Sequence, residues 1–158
     1  ELAAAQAAGE SLIDVRTQAE FDTGSIPGAV LIPVDELRER LDELPDGDLV
    51  VHCAVGKDRT GIVSALLLAL AGVGTAAIAD DFALSHDRVA GLVRPWVDDA
   101  PDEGVRRRRR LLAGAPGGAM VALLETIEVA YGGARSYLVD AGADERLLDL
   151  LAASLGGR

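Results

Sequence analysis

Ten consecutive residues, His52-Cys53-Ala54-Val55-Gly56-Lys57-Asp58-Arg59-Thr60-Gly61, bring together a thiol, an ammonium, a carboxylate, a guanidinium and a hydroxyl around small spacers. The apolar run Leu49-Val50-Val51 precedes them and a long apolar stretch follows, so the segment leaves a strand and enters a helix. Open α/β sheets place ligands at that carboxyl end. A loop there can turn successive N–H groups inward and form an anion-binding nest at the helix N-terminus. Ala54 and Gly56 are small enough to let the backbone close around a ligand. Arg59, six positions after Cys53, can return across the loop and grip two oxygens of a phosphate-like anion. The same positive field favours Cys53 as thiolate, since such placements bring a thiol pKa to about 3.5–7.5. A sulfur nucleophile beside a bound tetrahedral anion is the chemistry this segment allows.

The elements that must position the loop are legible on both sides of it. Leu12-Ile13-Asp14-Val15 is a short strand, and Thr17-Gln18-Ala19-Glu20 has the spacing of a capping box that opens a short helix stopping at Gly24. Ile26-Pro27-Gly28 is a turn, Ala29-Val30-Leu31-Ile32 a second strand and Leu49-Val50-Val51 a third. Between the last two, Asp35 can cap a helix carrying Leu37, Leu41 and Leu44, which ends before Pro45-Asp46-Gly47. The strands lack polar alternation, as expected of a parallel sheet covered on both faces. Beyond the loop the chain reads as helix, near Thr75–Leu84, Ser85–Asp98, Glu103–Ala113, Gly117–Tyr131, Ala134–Ala141 and Asp144–Leu155. No repeat and no long linker divides the chain, so one domain over residues 1–158 is expected.

Composition narrows the function classes. The chain has 158 residues, one cysteine and two histidines, which leaves no disulfide framework and too few ligands for a zinc constellation. A net charge of −11 disfavours nucleic acid, and 3% aromatics is low for a base-stacking surface. The stretch Thr60 to Ala79 carries no charge, but Gly72 and Gly74 interrupt it, which predicts a buried helix and a glycine turn rather than a membrane span. With no basic-then-apolar leader visible, a cytoplasmic protein is expected, and secretion without such a leader stays open. The sequence carries no signal for an oligomeric state.

The segment HCAVGKDRTG resembles the Cys-x5-Arg signature of protein tyrosine and dual-specificity phosphatases, and Gly56 to Gly61 resembles the bacterial branch acting on phosphotyrosine, phosphoserine/threonine or phosphoinositides. Asp81-Phe82-Ala83-Leu84-Ser85 is similar to that branch's Asp-Tyr-x-x-Ser element, and Met120, Tyr131-Gly132, Tyr137-Leu138 and Ala141-Gly142 to its helical C-terminal part. The resemblance implies Cys53 as nucleophile, Arg59 as phosphate clamp and Asp58 as general acid and base. It further implies that Ala54, Val55 and Gly56 bind phosphate through the backbone and that Lys57 adds a second positive charge favouring multiply phosphorylated head groups. Thr60 would hydrogen-bond the sulfur as leaving group, and His52 would orient the loop through its ring. No metal and no cofactor are implied.

A second resemblance lies upstream. Leu12 to Arg16, Glu20-Phe21, Gly24 to Ala29 and Ile32-Pro33 look like the first half of a rhodanese domain, over about residues 10–52, with Ser25 in place of the usual histidine. Rhodaneses usually carry a Cys-x4-Arg-like loop shaped for a persulfide, whereas five residues separate Cys53 from Arg59 here. Loop length favours the phosphatase.

Plainer roles stand beside these. Asp58 also suits a helix cap, a role compatible with proton transfer. Asp14 reads as a structural hydrogen-bonding residue, Trp96 as core, and Asp98 and His86 as surface. Arg106 to Arg110 form a cationic ridge on an acidic protein, either paired with Asp102 and Glu103 or drawn to an anionic membrane or polyphosphorylated head group. The expected fold is α/β: a small parallel sheet flanked by helices, rhodanese-like over residues 10–52, with the phosphate loop at 53–59 and a mainly helical part over 60–158. The expected function is hydrolysis of phosphotyrosine monoesters through a cysteinyl-phosphate, with phosphoserine/threonine or phosphoinositide as further substrates. A rhodanese-like sulfurtransferase, a thiol-based arsenate reductase and a phosphate-binding pseudophosphatase are the alternatives.

Overall fold

Four successive residues, Leu12 to Val15, are all buried, the carboxylate of Asp14 among them, as happens when a strand is covered on both faces. They centre the sheet. In the computed structural model, which describes residues 2–36, 40, 43–45 and 47–156, β1 (Ser11–Asp14) lies between β2 (Val30–Leu31) and β3 (Leu49–His52), in the order β2-β1-β3. Both pairings are parallel, with Ile13 opposite Val30 and Asp14 opposite His52. Strand β2 is shorter than the sequence suggests because Pro27-Gly28 and Pro33 bracket it, although Ile32 still donates to the Asp14 carbonyl at 3.0 Å. Val15 likewise leaves the ladder but donates to the His52 carbonyl at 2.9 Å.

The chain divides into two compact units, one up to Thr60 and one from Gly61 onward. In the first, Ile13, Val15, Ile32 and Cys53 form the core, with Val30, Leu44, Leu49 and Val51 packed against it. Helix α1 (Leu2–Ala7), which the sequence reading did not foresee, lies against β1. Helix α2 (Gln18–Asp22) begins at Thr17 with both halves of the capping box made. Of the helix expected after Asp35, Leu37 and Leu41, with Asp46 beyond it, lie outside the described residues. Arg40 bridges Glu36 at 2.9 Å and Glu43 at 2.7 Å.

Helix α3 (Asp58–Leu70) starts in the first unit and continues into the second, which is otherwise α4 (Thr75–Asp98), α5 (Glu103–Ala113), α6 (Gly117–Tyr131), α7 (Ala134–Asp140) and α8 (Glu145–Gly156). Gly72, at φ +82°, ends α3 in a turn closed by Val73 donating to Leu68 at 2.9 Å. Among the described residues no single helix is long and apolar enough to cross a membrane. The two helices expected before and after Ser85 are one, because serine only mildly disfavours a helix and Ile78, Phe82, Val89 and Val97 keep one helical stripe. The second core joins Ala65 to Ile78, Ala79, Met120 and Leu124, and Phe82 packs against it. Trp96 is not core. It is 44% exposed, its ring covered by the Arg109 guanidinium 5.1 Å from the centroid, while Arg109 also donates to the Trp96 carbonyl.

Candidate active site

The loop after β3 closes around a sulfur. Cys53 is 8% exposed, and its Sγ accepts from the Thr60 hydroxyl at 3.4 Å and from the backbone N–H groups of Thr60, Val55 and Gly56. Burial pushes the thiol pKa up, but these four donors outweigh it and hold the pKa below its ordinary value. Gly56 sits at φ +66°, the left-handed conformation that swings neighbouring amides to the inside of the turn.

The charged side chains are distributed unequally. Lys57 is 2% exposed, with its Nζ 2.5 Å from Asp58 Oδ1, whereas the Asp58 side chain opens the first turn of α3 and is 63% exposed. Placing Asp58 there complements the helix dipole. The Lys57 ammonium is therefore held inside the protein against Asp58. Arg59 donates from Nη1 to Glu20 Oε2 at 2.9 Å and from Nη2 to Glu20 Oε1 at 2.7 Å. That pair holds the Glu20 pKa down at about 2, chiefly through the Arg59 hydrogen bonds. It also raises the Arg59 pKa.

Beneath the loop, Asp14 is wholly buried and receives the Arg16 backbone N–H at 3.0 Å, Nε at 2.9 Å and Nη2 at 2.7 Å. Burial pushes its carboxyl up, but the Arg16 bonds prevail and lower it. Arg16 also reaches the Gly24 carbonyl at 2.9 Å, tying down the segment Gly24-Ser25-Ile26. That segment, with Arg16, His52, Cys53 and Ala54, lines an open pocket of about 290 Å³ over the sulfur. His52 Nδ1 lies 3.4 Å from the Cys53 carbonyl; its buried Nε2 is 3.9 Å from Asp14 Oδ2 and has no hydrogen-bond partner among the described residues. A larger cleft of about 500 Å³ beside Tyr131, Arg135 and Glu145 contains no cysteine, and its Arg135 is already paired with Asp149 at 2.7 Å.

Cys53, Val55, Gly56 and Thr60 thus meet at one sulfur, and Arg59 stands at the same loop. Sequence reasoning missed Glu20 and Arg16 as parts of the site. Glu20 was legible only as a cap, since nothing local relates it to a residue 39 positions away.

Residues 10–156 match the tyrosine phosphatase family, which covers both units. The chain belongs to that family. It is 36% identical over 132 residues to a tyrosine-protein phosphatase of Nostoc commune, covering 75% of this chain and 42% of that protein. It is 31% identical over 121 residues to the triple specificity protein phosphatase PtpB of Mycobacterium tuberculosis, covering 69% of this chain and 44% of that one. The chain therefore spans less than half the length of these relatives. A sulfurtransferase of Allochromatium vinosum is 41% identical over only 46 residues, 28% of this chain and 43% of that protein. The rhodanese likeness is thus short, while the phosphatase match runs through the helical part as well.

Proposed function

We propose that this protein hydrolyses phosphate monoesters, phosphotyrosine in proteins foremost, through a cysteinyl-phosphate. The observation that carries the reading is the Cys53 sulfur surrounded by the Thr60 hydroxyl and three inward amides, in a Cys-x5-Arg loop of a tyrosine phosphatase family member. The Cys53 thiolate attacks phosphorus in line; the S–P bond forms as the P–O bond to the leaving group breaks, and Asp58 gives that oxygen its proton. Asp58 then takes a proton from water, whose oxygen attacks phosphorus and releases phosphate and the thiolate. Arg59 and the backbone of Ala54, Val55 and Gly56 offset charge on the equatorial oxygens throughout. Thr60 stabilises the sulfur when it leaves, His52 steadies the loop through the Cys53 carbonyl, and Lys57 holds Asp58. A cytoplasmic setting, which keeps a lone thiol reduced, suits this chemistry.

The test compares p-nitrophenyl phosphate, phosphotyrosine peptides and phosphoinositides at matched pH. Turnover highest on phosphotyrosine and abolished by Cys53→Ser is expected; full turnover in that variant would sink the reading. Thiocyanate formed from thiosulfate and cyanide would instead favour the sulfurtransferase. Phosphoinositide hydrolysis is the second reading, favoured by Arg107 and Arg108, which stay exposed while Arg106 and Arg110 bond Glu103. Each exposed arginine would add about 1 kcal/mol of attraction to an anionic membrane. Arg107→Glu with Arg108→Glu should then slow hydrolysis in anionic vesicles and leave p-nitrophenyl phosphate turnover unchanged.

A further inference from the structure

Two structural duties converge on one carboxylate. In α2, the Glu20 N–H donates to Thr17 Oγ1 at 3.3 Å, and Glu20 Oε2 accepts from the Thr17 N–H at 2.9 Å and its hydroxyl at 2.8 Å. Capping alone would complete that carboxylate's task. Here the same Oε2 also takes Arg59 Nη1 at 2.9 Å, while Oε1 takes Arg59 Nη2 at 2.7 Å. Two Thr17 donors and two Arg59 donors therefore fix the carboxylate, and the carboxylate in turn fixes the guanidinium.

Which edge of the guanidinium is used decides what this does. The group presents its N–H donors in a planar fork, and each edge can hold two oxygens. Glu20 occupies the Nη1–Nη2 edge, and among the described residues none accepts from Nε. The Nε–Nη2 edge is left for a phosphoryl group, so a bound phosphate and Glu20 need not compete.

We propose that Glu20 is a positioning residue for the phosphate clamp, setting the plane of Arg59 so that its Nε–Nη2 edge meets the phosphoryl oxygens. The inference rests on the phosphatase reading of the loop but concerns phosphate binding, which can be read without turnover.

Alkylation of Cys53 by iodoacetate, with and without inorganic phosphate, gives the phosphate affinity from protection of the thiol. Glu20→Gln keeps an oxygen for capping while removing the charge and one of the two acceptors. It should weaken phosphate binding about tenfold without moving the alkylation midpoint upward, because the donors to the sulfur do not include Glu20 and the Arg59 charge it leaves behind still favours the thiolate. Glu20→Asp, which keeps the charge but withdraws it by one methylene, should fall between, and it also serves if Glu20→Gln folds poorly. Equal or tighter phosphate binding by Glu20→Gln would make Glu20 a bystander or a competing anion and overturn the proposal. An alkylation midpoint moved upward would overturn it too, since the loss would then reflect a disturbed loop. Wild-type protein unprotected by phosphate removes the proposal together with the functional reading, whereas protection without turnover on any phosphate ester removes that reading alone.

Discussion

The Thr60 hydroxyl donates to Cys53 Sγ at 3.4 Å, from the first turn of the helix that the loop enters. This bond leads the interactions that offset burial of the sulfur. Thr60→Ala should therefore move the pH midpoint of Cys53 alkylation upward and slow breakdown of the cysteinyl-phosphate more than its formation. Stopped-flow turnover of p-nitrophenyl phosphate would register this as a larger burst followed by a slower steady state. An unchanged alkylation midpoint would exclude the hydroxyl as a stabiliser of the thiolate.

The Glu20 pair predicts how stability responds to acid. The folded pKa lies near 2 against an ordinary 4.5, so the pair's contribution is fully present above about pH 4.5. It declines as pH falls toward 2, while Arg59 stays charged. Thermal midpoints of wild type and Glu20→Gln should differ most near neutral pH and converge between pH 4.5 and 2. A gap that stays constant into acid would contradict the pair's role in stability.

Asp14, wholly buried, is paired with the partly exposed Arg16. Asp14→Asn leaves the guanidinium without its charge partner and should cost about 1–3 kcal/mol in urea unfolding. Because Arg16 also holds the Gly24 carbonyl, the wall over Cys53 should loosen, visible as faster alkylation by bulky reagents than by small ones.

Gly61 carries a packing constraint beside its place in the loop motif. A Cβ there would lie 2.9 Å from two carbons of the Phe82 ring. Gly61→Ala should destabilise the protein by about 1–3 kcal/mol, and Phe82→Leu in the same chain should recover part of the loss. Additive losses in the double variant would show that the two residues do not press on one another.

Asp58 predicts a dependence on the leaving group. A nitrophenolate departs without a proton, whereas an alkoxide needs one. Asp58→Asn should lower kcat about 10²–10⁴-fold on phosphoserine peptides, with a much smaller effect on p-nitrophenyl phosphate. Equal losses on both would assign Asp58 to the architecture of the loop.

What the sequence determined by itself was local. Cys53 to Thr60 spans one turn of loop and the start of α3, so residue type and spacing already specify which donors can reach the sulfur. The Thr17–Glu20 cap and the limits of α6 were legible for the same reason, since capping boxes and glycine stops act over a few residues. The tertiary structure decided the rest. The parallel register sets Asp14 opposite His52, and the fold brings Glu20 across 39 residues to Arg59; neither relation has a local signature. The Lys57 ammonium lies buried against Asp58, and Trp96 lies under Arg109 near the surface, because burial depends on which distant elements cover a side chain. Spacing along the chain fixes partners within a turn or two, whereas partners farther apart are chosen by how the whole assembly packs.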